Sequence, residues 1–127
     1  MDYPAYIESY NTAHNERQTA LRFFTDDVIL EDGTNKVQGR EQVIKLFEAA
    51  HNGISEELII RAWAQTGETI LAELDGKFVS DEDTPNHFFY PFKKGEKARF
   101  RFLAAYTVVA GQFSHIRITC WASPLSG

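Results

Sequence analysis

Hydrophobic residues recur at helical spacing in three segments of the first half of the chain. These segments are residues 3–14, residues 15–24 and residues 39–53. In the last of them Val43, Ile44 and Phe47 form one apolar stripe, and Asn52-Gly53 provides a stop signal. The pattern predicts three helices, each with an apolar face that must pack against another element.

Around and after these helices the pattern changes to that of β-strands. The predicted strands are residues 28–32, 36–38, 56–66, 68–79, 96–110 and 112–122, with a further short edge strand at 87–92. The turn-forming runs DGTN, TGE and AGQ provide tight connections between neighbouring strands. Helices followed by a long antiparallel sheet indicate an α+β fold, and we expect residues 1–127 to form a single domain.

Composition and charge narrow the class of protein. With 43% hydrophobic and 13% aromatic residues among 127, the chain has the composition of a folded domain. Its net charge of −5 argues against nucleic acid as a partner, because such partners need a basic surface. No apolar run is long enough to cross a bilayer, and residues 1–10 lack the pattern of a secretory signal. We therefore expect a cytoplasmic protein with no membrane partner.

The sequence also lacks the common motifs for bound cofactors and metals. The single Cys120 excludes an internal disulfide and a cysteine-based metal cluster. There is no phosphate-binding glycine loop, zinc-ligand spacing or nucleophilic serine motif. We predict neither a cofactor nor a metal, so any chemistry must come from side chains alone.

The strand VILED ends in two acids directly before a glycine turn, which makes Asp32 a candidate for chemistry. A carboxylate between an apolar helix and a sheet loses solvation, which raises its pKa towards the range useful for a general base. The alternative is that Asp32 caps the turn through hydrogen bonds to its own backbone.

Three segments carry a resemblance to a known superfamily. FTDDVILEDG, then GREQVIKLF, then GQFSHIRI follow one another at spacings that resemble the nuclear transport factor 2-like and SnoaL-like proteins. Ketosteroid isomerase, scytalone dehydratase, limonene epoxide hydrolase and polyketide cyclases belong to this group. The resemblance implies a cone-shaped barrel, in which three N-terminal helices pack on a strongly curved, mostly antiparallel sheet. That fold hosts enzymes and non-enzymes alike.

The resemblance assigns roles to individual positions. By the ketosteroid isomerase pattern, Asp32 is the proton-shuttling base and Tyr10 donates a hydrogen bond to the substrate oxygen. The position of the second acid in that pattern is occupied by Ala105 here, so this chain departs from the isomerase pattern. The epoxide hydrolase pattern has Arg-x-Asp where this chain has Glu73-Leu74-Asp75. Its other catalytic acid matches a position near Ile118. Two of the three groups of that pattern are therefore absent.

Alternation leaves two ways to orient the middle strands. In one, apolar residues face inward and the charges lie in water. In the other, which the isomerase pattern implies and we predict, Glu73, Asp75, Arg99 and Arg101 line the cavity. The apolar face would then point outward and form a homodimer interface, because monomers rarely expose such a surface.

The predicted site combines these positions. The catalytic candidates are Asp32, Tyr10, Glu73 and Asp75, and the predicted substrate contacts are His14, Phe47, His51, Arg99, Arg101, Leu103, Ala105, Ile116 and Ile118. His14 and His51 lie at the ends of helical stripes, and a structural role is the alternative for both.

The functional hypothesis is a cofactor-independent enzyme that uses acid–base catalysis in an apolar pocket. An isomerase, dehydratase or cyclase acting on a polyketide- or terpenoid-like small molecule fits this set of residues. One alternative is a non-catalytic ligand-binding or dimerisation module of the same fold. Another is an epoxide hydrolase, which would hold a water between Asp75 and a second polar group.

Overall fold

The computed structural model describes residues 1–12, 15–87 and 90–122, and over these ranges it contains three helices and six strands. In chain order they are α1 (Tyr3–Thr12), α2 (Glu16–Phe23), β1 (Phe24–Glu31), β2 (Lys36–Gln38), α3 (Arg40–Ala50), β3 (Ile54–Thr66), β4 (Thr69–Ser80), β5 (Lys97–Val109) and β6 (Gln112–Ala122). Within these ranges no helix combines the length and the apolar character needed to cross a membrane. The predicted α+β fold, with helices first and a long sheet afterwards, is confirmed.

Local chemistry explains where the helices begin. The side chain of Asn15 caps α2 by accepting a hydrogen bond from the backbone N–H of Gln18 at 3.2 Å. Gly39 precedes α3 with a φ of 97°, a conformation that only glycine adopts without strain. α2 passes directly into β1 at Phe24, so this helix is fixed to the sheet without a loop.

All six strands form one sheet in the order β2-β1-β6-β5-β4-β3. β1 runs parallel to β6, and the other neighbours are antiparallel. β2 and β3 lie at the two edges, so the sheet is not closed, and it is mostly antiparallel, as the resemblance implied. Ala110 and Gly111 both have positive φ in the β5–β6 turn, which matches the twist of a hairpin.

The segment at residues 87–92 differs from its prediction as an edge strand. Phe92 forms one isolated bridge with Thr84, and Phe88 and Phe89 lie outside the described residues. Of the described residues in this segment, none belongs to a strand of the sheet.

The orientation predicted for the middle strands is wrong. Ile70, Leu74 and Phe78 of β4 are buried on the inner face, and Phe102 and Tyr106 of β5 are buried beside them. The charged residues of these strands alternate with the apolar ones and lie on the outer face. Burying the apolar face against the helices removes more hydrocarbon from water than burying the charged face would. The strands therefore take the orientation with apolar residues inward.

The helices and the sheet meet in an aromatic core beside the cavity. Tyr6 of α1 lies 4.9 Å from Phe113 and 5.4 Å from Phe23 between ring centroids, and Tyr106 lies 4.7 Å from Phe113. These rings are almost fully buried. They anchor α1 across the sheet and so place Tyr10, one turn further along the helix, at the wall of the cavity.

Candidate functional site

The inner face of the sheet and the helices α1 and α3 enclose a cavity of about 440 Å³. Its walls are mainly apolar and aromatic, and they include Tyr6, Leu30, Phe47, Leu58, Phe78, Phe102, Tyr106 and Ile116. Its polar residues include two groups, Tyr10 with Glu56 and Asp32 with Thr34 and Asn35, and in addition His87, Thr119 and Cys120. An apolar cavity with a few polar groups is the usual form of a small-molecule site.

Tyr10 and Glu56 in the cavity wall form a hydrogen-bonded cluster with His51. The Tyr10 hydroxyl donates to Glu56 Oε1 at 2.5 Å, and His51 Nε2 lies 2.7 Å from the same oxygen. Glu56 Oε2 makes no hydrogen bond to the residues that the structure describes, 1–12, 15–87 and 90–122. The carboxylate therefore keeps one oxygen available to a bound molecule.

A fourth residue extends the cluster away from the cavity. His51 Nδ1 lies 3.0 Å from Glu16 Oε1, so the imidazole is held between two carboxylates. Glu16, His51, Glu56 and Tyr10 also line a second pocket, of about 280 Å³, next to the main cavity. Glu56 and Tyr10 belong to the walls of both.

The surroundings shift the protonation of this cluster. Burial lowers the pKa of His51, but the hydrogen bonds and charges of Glu56 and Glu16 outweigh burial and raise the pKa above its ordinary value. Burial, followed by the charge of Glu56, raises the pKa of Tyr10 well above its ordinary value. The Tyr10 hydroxyl therefore stays protonated at neutral pH, and the carboxylates favour the protonated form of His51.

Asp32 lies at the wall of the cavity but has the environment of a turn cap. Its Oδ1 accepts hydrogen bonds from the backbone N–H groups of Thr34 at 2.9 Å and Asn35 at 2.6 Å, and Oδ2 accepts one from Asn35 Nδ2 at 3.1 Å. Burial raises the pKa of Asp32, but these hydrogen bonds outweigh it and lower the pKa below its ordinary value. The expectation of a raised pKa is wrong, because the turn satisfies the carboxylate.

The four charged residues predicted to line the cavity lie on the outer face instead. Asp75 Oδ1 accepts a hydrogen bond from Arg101 Nε at 2.8 Å, and Asp75 Oδ2 accepts one from Arg99 Nε at 3.0 Å. Glu73 pairs with Arg61 at 2.9 Å. The hydrogen bonds of Arg101 and then Arg99 outweigh burial and hold the pKa of Asp75 far below its ordinary value. Placing these residues in the cavity was wrong, since they form an ion-pair network on the opposite side of the sheet.

The remaining predicted contacts divide between the two sides of the sheet. Phe47 and Ile116 line the cavity, Ile118 borders both sides, and Leu103 and Ala105 lie on the outer face. His51 lies in the second pocket, next to the cavity. His14 lies outside the described residues.

Glu56 and Glu16 were not predicted from the sequence. Glu56 shares a face of β3 with Ile54 and Leu58, both buried. An acid that lies between two core residues on one face of a strand points into the protein interior, and this pattern could have identified Glu56 from the sequence. Glu16 gave no such signal, because an acid in the first turn of a helix is ordinary.

The outer face carries an open groove of about 820 Å³. Leu71 and Leu103, which are 53% and 42% exposed, lie along it with Ala62, Ala64 and Ala105. This surface is separate from the polar cluster.

Three helices packed on a curled sheet around one apolar cavity define the nuclear transport factor 2-like class of α+β proteins. Within that class, the family model of the SnoaL-like domain matches residues 5–116, and the chain belongs to this family. None of the curated protein sequences is significantly similar to the chain.

Solved structures share the fold at low sequence identity. A proposed polyketide cyclase from Pseudomonas putida KT2440 is 18% identical with a TM-score of 0.76, and the match covers 95% of this chain and 88% of that one. A proposed SnoaL-like polyketide cyclase from Jannaschia sp. CCS1 is 14% identical with a TM-score of 0.74, covering 92% and 83%. An LEH-like epoxide hydrolase from M. tuberculosis is 15% identical with a TM-score of 0.69, covering 91% and 80%. At such identities the similarity concerns the fold alone.

Proposed function

We propose that the protein is a cofactor-independent enzyme that removes a proton from a small, largely apolar organic molecule, with Glu56 as the base. The observation that carries the proposal is the position of the Glu56 carboxylate, between the Tyr10 hydroxyl and His51 Nε2 at the wall of an apolar cavity. Tyr10 keeps the role predicted for it, as a donor to a substrate oxygen. Glu56 takes the role that the sequence had suggested for Asp32.

The geometry supports proton removal next to a carbonyl group. Apolar walls exclude water, which strengthens electrostatic interactions within the cavity. Glu56 Oε2 accepts the proton, while Tyr10 and His51 donate hydrogen bonds to the oxygen on which negative charge develops. These donors also bind Glu56 Oε1, so a substrate oxygen beside them would share them with the carboxylate, which keeps its position.

Isomerisation, dehydration and cyclisation can each begin with this step, and we propose a polyketide- or terpenoid-like substrate. The cavity of about 440 Å³ has the size of a small-molecule site. Two similar structures are described as proposed polyketide cyclases, which supports this substrate class.

The alternatives receive less support. An epoxide hydrolase of the predicted kind needs Asp75 at the cavity, and Asp75 is bound by arginines on the outer face. A non-catalytic module would be favoured if Asp32 and Tyr10 lay apart in solvent, but both line the same cavity.

The test is solvent-deuterium exchange into enolisable ketones of one to three rings, such as 2-tetralone, followed by proton NMR. Glu56→Gln keeps the shape of the side chain and removes the base, so we expect the exchange rate to fall about 100-fold or more. Glu31→Gln is the matched control, because Glu31 contacts His115 at the surface and does not line the cavity. The proposal fails if the wild type exchanges none of the ketones faster than buffer, or if folded Glu56→Gln retains the full rate.

We also propose that two copies of the chain associate through the outer face of the sheet. The apolar residues expected there are buried inside, but Leu71, Leu103 and Trp121 leave an exposed apolar surface on that face. Such a surface is typical of an interaction site.

A further inference from the structure

We propose that Glu16 is a positioning residue of this site, which holds His51 as an imidazolium so that the site presents an anionic base and a cationic acid together. This inference rests on the proposed function and adds a residue and a charge state to it. Glu16 binds His51 Nδ1, and the other ring nitrogen, Nε2, faces the cavity residues Glu56 and Tyr10, so Glu16 acts on a bound molecule only through His51.

The geometry of the imidazole carries the inference. Nδ1 faces Glu16 Oε1 at 3.0 Å, and Nε2 faces Glu56 Oε1 at 2.7 Å. An ionised carboxylate only accepts hydrogen bonds, so both ring nitrogens must donate. A neutral imidazole has one N–H and would direct a lone pair at one of the two carboxylates.

Shielding from solvent makes these charges effective. The side chains of Glu16, His51 and Glu56 are 22%, 17% and 10% exposed. Charges with so little contact with water are weakly screened, so each carboxylate strongly favours the protonated ring.

The other charged groups around His51 agree with this assignment. Tyr10 of α1 contacts the ring and stays neutral, and Asp81, in the segment after β4, lines the same pocket. No lysine or arginine is among the described residues that line this pocket. The surroundings of His51 are therefore anionic from three elements.

The role of Glu16 follows from its place in the cluster. Without it, Glu56 alone would hold the imidazole, and the ring would lose one of its two orienting contacts. His51 then loses its proton at lower pH, and the donor that stabilises a developing oxyanion becomes weaker. The raised pKa of His51 sets the direction of the pH dependence. The ring is fully protonated at low pH and loses its proton as pH rises through that pKa.

The first arm of the test needs no substrate. Nitrogen-15 NMR of the His51 ring at neutral pH should show two protonated nitrogens, with a titration midpoint above the ordinary value of about 6.5. Glu16→Gln should lower that midpoint by about one pH unit or more, and Glu16→Asp should restore part of the shift. Glu31→Gln is the control, because it removes the carboxylate partner of His115 and should leave His51 unchanged.

The second arm measures the pH dependence of ketone exchange. In Glu16→Gln, the loss of rate on the alkaline side should move to lower pH by the same amount as the His51 midpoint, with KM unchanged. A neutral His51 in the wild type, or an unmoved midpoint in folded Glu16→Gln, overturns the inference. A wild type that exchanges no ketone overturns the proposed function, and the NMR titration still decides whether Glu16 holds the imidazolium.

Discussion

Asp32 follows β1 and accepts three hydrogen bonds from the turn that it begins. Glu56 sits between apolar neighbours and keeps one oxygen without a hydrogen bond to the described residues. Both carboxylates line the same cavity, but their partners differ. Both oxygens of Asp32 are bound within the turn, whereas Glu56 Oε2 is the oxygen that we propose accepts a proton from a bound molecule.

At the residue scale, this contrast predicts how Asp32 variants behave. Asp32→Ala removes the turn cap and should lower the free energy of unfolding by roughly 1 kcal/mol, whereas Asp32→Asn keeps most of the cap and should change it little. The lowered pKa means that this stabilisation is present above the unfolded pKa of about 3.9 and is lost as pH falls through the folded value. Urea denaturation at neutral and acidic pH measures both effects.

The same variants test the assignment of the base. We expect both to keep ketone exchange near the wild-type rate. A folded Asp32→Asn protein that loses exchange would return the role of base to Asp32 and count against Glu56.

At the element scale, β4 and β5 form the inner wall of the cavity from their alternate residues. Gly76 of β4 is buried where the rings of Phe78 and Phe102 converge. A Cβ at Gly76 would lie 2.6 Å from Phe102 Cε2 and 3.0 Å from Phe78 Cε2. Glycine is therefore needed here for space between the strand and the aromatic wall.

This crowding predicts that Gly76→Ala is destabilising although alanine suits a strand backbone better than glycine. Moving both rings should reduce the free energy of unfolding by roughly 1–3 kcal/mol. Chemical denaturation measures the loss, and Ala98→Gly, at another buried inner position of the sheet, shows what a simple exchange of these residue types costs. An unchanged midpoint in Gly76→Ala would mean that the rings move freely, contrary to a packed wall.

At the scale of the whole molecule, the outer face of the sheet is the surface that we propose forms a dimer interface. Its acids are largely matched within the chain, since Asp75 binds Arg99 and Arg101 and Glu73 binds Arg61. Leu71 and Leu103 on this face are 53% and 42% exposed. A second copy of the same face would cover them without leaving charges unpaired.

A homodimer should therefore have twice the chain mass of 14.5 kDa by light scattering. Leu71→Asp places a charge in the centre of the face and should shift the protein to the monomer. Leu21→Asp is the matched control, because Leu21 of α2 is 50% exposed against 53% for Leu71. A monomeric wild type, or a Leu71→Asp protein that remains dimeric, contradicts this interface.

Much of the architecture was predictable because it depends on neighbours in sequence. Turn residues, helical spacing and alternation placed the helices and the long strands to within a few residues of their observed bounds. The order of three segments indicated the superfamily, which the SnoaL-like match over residues 5–116 confirms. Tyr10, Phe47 and Ile116 were also correctly expected at the cavity.

The site needed the tertiary structure, since it depends on contacts between distant parts of the chain. Alternation distinguishes the two faces of a strand but does not say which one the helices cover, so Asp75 and Arg99 were placed on the wrong side. Glu16 and His51 are 35 residues apart and meet only because α2 and the end of α3 pack together. By itself the sequence determined the elements and their order, through local propensities. Packing alone decided that Glu16, His51 and Glu56 share one desolvated cluster, because the energy that aligns them comes from burying apolar surfaces elsewhere in the fold.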